Sequence, residues 1–93
     1  MTLDGQKQRN ALTGAEQALR ALAAGQSDRA RKNADKAMDL DQLGLFGGFP
    51  EAVGAAADEI DGSGAVSPEA WNRIGEVVGP GPLRFLIEEL RGA

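Results

Sequence analysis

The chain has 93 residues and a net charge of −4, room for one domain with one modest core. It holds no Cys, His or Tyr, which excludes disulfides, thiolate or imidazole metal sites, cysteine nucleophiles and Ser-His-Asp chemistry. Of the usual acid–base groups only carboxylates and Lys7, Lys32 and Lys36 remain, and so small a core hardly builds the cleft of a paired-carboxylate hydrolase, so no enzymatic activity is expected.

Residues 1–8 carry little pattern and read as flexible unless Leu3 extends the helix that follows. From Asn10, Leu12, Ala15, Leu19, Leu22 and Ala23 recur in steps of three and four residues, the period of one helical face. Thr13-Gly14-Ala15-Glu16 fits a capping box, which offers a later start, and Gly25 suits a left-handed stop. Gln26-Ser27-Asp28 then opens a second helix to about Leu40, with Ala30, Ala34, Ala37 and Met38 inward. The short connection makes the pair an antiparallel hairpin.

The stretch QLGLFGGF (42–49) breaks the period, and its three glycines argue for a loop. Pro50 opens a third helix with Val53, Ala56, Ala57 and Ile60 on one face, and Asp61-Gly62-Ser63-Gly64 reads as a turn. Ser67-Pro68-Glu69 starts a fourth helix carrying Trp71, Ile74, Val77 and Val78. Gly79-Pro80-Gly81-Pro82 ends it, and a last helix carries Leu83, Leu86, Ile87 and Leu90, with Phe85 off the stripe. The expected fold is one all-α domain of four to five short helices: two antiparallel hairpins and a C-terminal capping helix.

The first hairpin resembles one tetratricopeptide repeat across residues 14–42. The residues that carry the likeness are Gly25, Ala30, Ala37, Met38, Leu40 and Asp41. The resemblance implies stacked helical hairpins that bind partner proteins. An ordinary αα-hairpin within a bundle accounts for the same residues, and one clear repeat falls short of the roughly three that an independent array needs. A second stretch, EIDGSGAVSPEAW, looks like an EF-hand loop over residues 59–70. It implies Glu59, Asp61 and Ser63 as oxygen ligands, yet Ala70 stands where the bidentate Glu belongs. Such a domain would regulate partners with weak calcium binding or none.

Surface candidates complete the reading. Arg29, Lys32 and Lys36 share one face of the second helix, where they could dock an acidic partner, although Asp28, Asp35 and Asp39 interleave with them. Leu45, Phe46 and Phe49 form either an exposed interaction patch or part of the core, and the scarcity of large side chains favours the core. Charge is uneven: residues 1–41 hold seven basic and six acidic groups, residues 42–93 three and eight. That balance argues against nucleic acid, and no apolar run reaches a membrane span. The polar start MTLDGQKQRN does not read as a signal sequence, and a cytoplasmic address follows. Abundant alanine, with arginine outnumbering lysine, is in keeping with a GC-rich bacterial genome. A non-catalytic protein–protein interaction module without cofactor is thus expected. The alternatives are the EF-hand-like regulator and a structural subunit that completes its core as a homo-oligomer.

Overall fold

Among the described residues five helices form in chain order: α1 (Leu3–Ala23), α2 (Ser27–Leu40), α3 (Phe49–Ser63), α4 (Pro68–Val78) and α5 (Pro82–Arg91). The structure is a computed structural model that describes residues 3–41, 44, 46–79 and 81–92, for Leu3 and Asp4 the backbone alone. No strand occurs among the described residues. None of the described helices is long and apolar enough to cross a membrane.

The helix α1 begins at Leu3, so residues 3–8 are helical rather than patternless coil. Thr13 is no cap: it lies mid-helix, and its hydroxyl donates to the Arg9 carbonyl at 3.1 Å. The helix stops where the sequence places the stop. Gly25 takes φ +76°, the Gln26 N–H donates to the Ala21 carbonyl and the Gly25 N–H to that of Leu22, a closure that only a left-handed residue permits. The chain then reverses into α2. Antiparallel register is visible at both ends of the pair, since Gly14 lies against Asn33 and Ala37, and Gln8 Nε2 donates to Asp41 Oδ1 at 3.0 Å.

Small residues make the α1–α2 seam. Ala11, Ala15 and Ala18 on α1 and Ala30, Ala34 and Ala37 on α2 are all fully buried. At Gly14 the approach is closest: a Cβ there would meet the Asn33 carbonyl oxygen at 3.4 Å and the Ala37 methyl at 3.5 Å. Met38 departs from the inward stripe and is 45% exposed, because its direction lies about 80° from the centre of the buried alanines. Ala23, at the frayed end of the first stripe, is likewise exposed.

The helix α3 enters from Gly48 (φ +80°) with Pro50 in its first turn. It runs through Ser63, one turn beyond the expected stop. The Ser63 hydroxyl donates to the Glu59 carbonyl at 2.8 Å, and the left-handed cap falls on Gly64 (φ +88°), whose N–H donates to the Ile60 carbonyl. Ser67 caps α4, accepting the Ala70 N–H at 3.2 Å. Glu59 reaches back so that its Oε1 accepts the Ser67 N–H at 2.7 Å, tying the end of α3 to the start of α4.

The core gathers around Phe49, Leu19, Ile74, Ile87 and Val53, its largest fully buried side chains. Helix α2 packs on α1 and α3, α4 packs on α3, and α5 packs on both α4 and α1. That last contact joins the final helix to the first, so the five helices close on themselves. The radius of gyration is 12.4 Å, close to the roughly 12 Å expected of a compact chain this long. One position is left unoptimised. Gly54 sits in the interior of α3, and a Cβ there would touch nothing within 4 Å. Gly54→Ala should therefore stabilise the fold by about 0.5–1 kcal/mol, read as a rise in thermal midpoint of several degrees.

Candidate partner-docking face

Helix α2 shows the solvent a face that looks mixed in sequence and is sorted in space. Arg29, Lys32 and Lys36 are all exposed, as their spacing requires. At about 100° per residue, Arg29 and Lys36 lie within about 20° of each other and Lys32 about 40° further round. Asp28, Asp35 and Asp39 fall beyond Lys32, on the side away from α1. The interleaved charges thus separate into a cationic strip toward α1 and an anionic strip toward α3.

The cationic strip continues across the hairpin. A shallow groove of about 320 Å³ runs between α1 and α2, lined by Gln17, Arg20, Ala21, Ala24, Gln26 and Arg29. Among the described residues its two charged ones are both arginines, one from each helix, and no carboxylate lines it. Among the described residues neither Arg20 nor Arg29 has an ion-pair partner, and the same is true of Lys32 and Lys36. Arg20 was not a candidate in the sequence. It precedes Arg29 by nine positions, and only the hairpin register brings the two to one groove.

Among the described residues the cation that forms ion pairs is Arg31, which the sequence candidates do not include. Its Nη2 donates to Asp58 Oδ1 at 2.6 Å and to Asp61 Oδ2 at 2.8 Å, both on α3, and its Nη1 to Asp28 Oδ1 at 3.2 Å. Ser27 completes the cluster by donating to Asp61 Oδ1 at 2.6 Å. The signal was available: Arg31 lies beside Ala30 and Ala34, at the margin of the buried stripe, where a long side chain reaches the next helix. Hydrogen bonds to Asp61 and Asp58 hold the Arg31 guanidinium firmly protonated. The Asp61 carboxyl is held below its ordinary value of 3.8, chiefly by the Ser27 hydroxyl and next by Arg31.

A sign follows for pH. Because the folded Asp61 carboxyl titrates below the unfolded one, its contribution is fully present above pH 3.8 and is lost as pH falls through the lower folded value. Asp61→Asn should be less stable than the parent near neutrality, and the gap should narrow as pH is taken below 3.8. Denaturant midpoints of both proteins across that range check it, and a gap that stays constant would contradict it.

Two further groups of sequence candidates find their places. Phe46 and Phe49 are 4% and 0% exposed, with ring centroids 5.8 Å apart, so of the two readings of this loop they take the core one, which the scarcity of large side chains favours. Leu45 lies outside the described residues. The loop is drawn inward by Asp41, whose Oδ2 accepts the Phe46 N–H at 2.8 Å while Oδ1 accepts from Gln8. Glu59, Asp61 and Ser63 all lie on α3 instead of a ligand loop, with Asp61 on the side of the helix opposite Glu59 and Ser63. Their oxygens serve the protein: Glu59 the Ser67 N–H, Asp61 the Ser27 and Arg31 donors, Ser63 the Glu59 carbonyl. Among the described residues no three acidic side chains gather as a cation site.

A second cavity, about 380 Å³, opens at the end of the bundle where α1, α3 and α5 terminate. Leu22, Val66, Trp71 and Leu90 line it together with the backbone of Gly25 and Gly64, and among the described residues Arg91 is its one charged group. Arg91 Nη1 donates to Asn72 Oδ1 at 2.6 Å, a bond that fastens the end of α5 to α4. Set against protein-family models, curated proteins and solved structures, the chain finds no match.

Proposed function

We propose that the chain is a non-catalytic protein–protein interaction module whose outer α1/α2 face docks an acidic segment of a partner protein. The supporting observation is the groove between α1 and α2: Arg20 and Arg29 flank it, no carboxylate of the described residues lines it, and Lys32 and Lys36 extend its charge along α2. Guanidinium groups without partners favour carboxylates, which they bind in a fork, over the hydroxyls and amides of a neutral surface. The residues that carry the repeat resemblance support this role indirectly, because Ala30 and Ala37 let α2 lie close enough to α1 to bring the two arginines to one groove. The chain's acidic groups outnumber its basic ones, 14 to 10, so an acidic segment is attracted by the local cationic strip and not by the overall charge. A cytoplasmic setting is part of the same reading.

The test is fluorescence anisotropy with a short labelled glutamate-rich peptide, and a lysine-rich peptide of equal length as control. The glutamate peptide should bind at low ionic strength and weaken as salt is raised. Arg20→Glu combined with Arg29→Glu should weaken it by about tenfold or more, since like charges would then face each other. Equal binding by the double variant, or by the lysine peptide, would overturn the reading.

A further inference from the structure

The four aromatic side chains of this protein are treated unequally. Phe46, Phe49 and Trp71 are buried, whereas Phe85 is 73% exposed on α5, the most exposed large apolar side chain among the described residues. Its surroundings are charged in a particular order. Leu83, Leu86 and Ile87 face the core, so the outward side of α5 carries Arg84, Phe85, Glu88 and Glu89. Neither Glu88 nor Glu89 has an ion-pair partner among the described residues. Among the described residues the Arg84 guanidinium makes one hydrogen bond, to the Gly75 carbonyl at 3.4 Å, which leaves most of its side-chain donors for a partner.

Helical geometry makes this strip complementary to itself. Phe85 and Glu88 are separated by about 60° around the axis and straddle the centre of the exposed face, with Arg84 about 40° beyond Glu88. When two α5 helices lie antiparallel about a two-fold axis level with Leu86, Arg84 of each stands opposite Glu88 of the other. The two Phe85 rings then meet on the other side of the axis, offset by about 3 Å along it. Aromatic rings pair at centroid separations of about 4.5–7 Å, which such a crossing allows. A two-fold pairing uses one patch twice, and here that patch carries both signs of charge around one ring.

We propose that a second copy of this chain docks on the exposed face of α5, with Phe85 packed on Phe85 and Arg84 paired with the partner copy's Glu88. A contact built on one ten-residue helix buries much less than the roughly 800 Å² per partner of a standard interface, so the dimer is weak, with a dissociation constant in the high-micromolar range. This surface is separate from the α1/α2 groove, and either proposal can fail without the other.

Sedimentation of the 93-residue chain from micromolar to millimolar concentration tests it. The weight-average mass should rise from monomer toward dimer. Phe85→Ser should raise the dissociation constant by about tenfold or more with helicity unchanged, as expected where a central aromatic anchor is lost. Arg84→Glu alone and Glu88→Arg alone should each stay monomeric, because like charges face each other in both self-pairs. An equimolar mixture of the two should dimerise again, since both charge pairs re-form across the two-fold axis. A parent chain that is monomeric throughout, a dimer that survives Phe85→Ser, or a mixture that behaves like its components would each overturn the proposal.

Discussion

Phe49→Ala is expected to destabilise the protein by about 3–5 kcal/mol, most of what a domain of this size has to lose. Phe49 is fully buried, and its ring lies 5.8 Å from that of Phe46, so truncation leaves a cavity against a second aromatic ring and the neighbouring core. The loop that precedes it, residues 41–48, offers no substitute apolar side chain among its described residues, which apart from Phe46 are Asp41, Gly44, Gly47 and Gly48. Phe46→Ala should cost less than Phe49→Ala, because Phe46 retains slight exposure and is held through its backbone N–H by Asp41. Denaturant unfolding followed by circular dichroism ranks the two. A Phe49→Ala protein with a nearly unchanged midpoint would contradict the buried placement.

Gly14→Leu is expected to cost about 3 kcal/mol or more, at the upper end of what overpacking does. A single Cβ at Gly14 already meets the Asn33 carbonyl oxygen at 3.4 Å, and three further carbons have to enter a seam of alanines. The backbone of α2 cannot give way without also moving Ala30, Ala34 and Ala37 off the first helix. Gly14→Ala is the informative control. It adds only the Cβ, whose nearest contacts of 3.4–3.5 Å are tight but within the ordinary range, and it relieves a glycine in a helix interior. A large loss for leucine with a small change for alanine is the pattern expected of a close helix–helix approach. Equal tolerance of both would place the helices further apart than described here.

Much of this fold could be read from the residues, and the reasons are local. Gly25 must reverse the chain, Ser67-Pro68 must begin a helix, and the Leu83, Leu86 and Ile87 stripe must face inward; each follows from chemistry within a few positions. The departures come from distant partners. Gly62-Ser63 read as a turn because both are turn formers, yet α3 continues through them. Hydrogen bonds from Ser27 and Arg31 to Asp61, and from Arg31 to Asp58, hold that last stretch of helix against α2. The loop before α3 could be expected to pack on the core for want of other large side chains, but not how it is held: the Phe46 N–H is anchored by Asp41, which also accepts from Gln8 across the end of the first hairpin.

The candidate face divides in the same way. Spacing alone placed Arg29, Lys32 and Lys36 on one exposed side of α2. The alternation with Asp28, Asp35 and Asp39 concealed that the two signs occupy different strips, because order along the chain does not convey angle around the axis. Arg20 entered only through the register of the hairpin, which the small residues of the seam determine. Arg31 differs from its neighbouring cations only in position: it sits at the margin toward α3, and there it binds helices together instead of facing solvent.

The most direct test of the docking face is a map of where an acidic peptide touches the protein, read from backbone amide shifts of the isotope-labelled chain during titration with the glutamate-rich peptide. Shifts are expected at Gln17, Arg20, Ala21, Arg29 and Lys36 that disappear at high salt, with α4 and α5 unaffected. Shifts confined to α4 and α5, or an unchanged spectrum along α1 and α2, would contradict it.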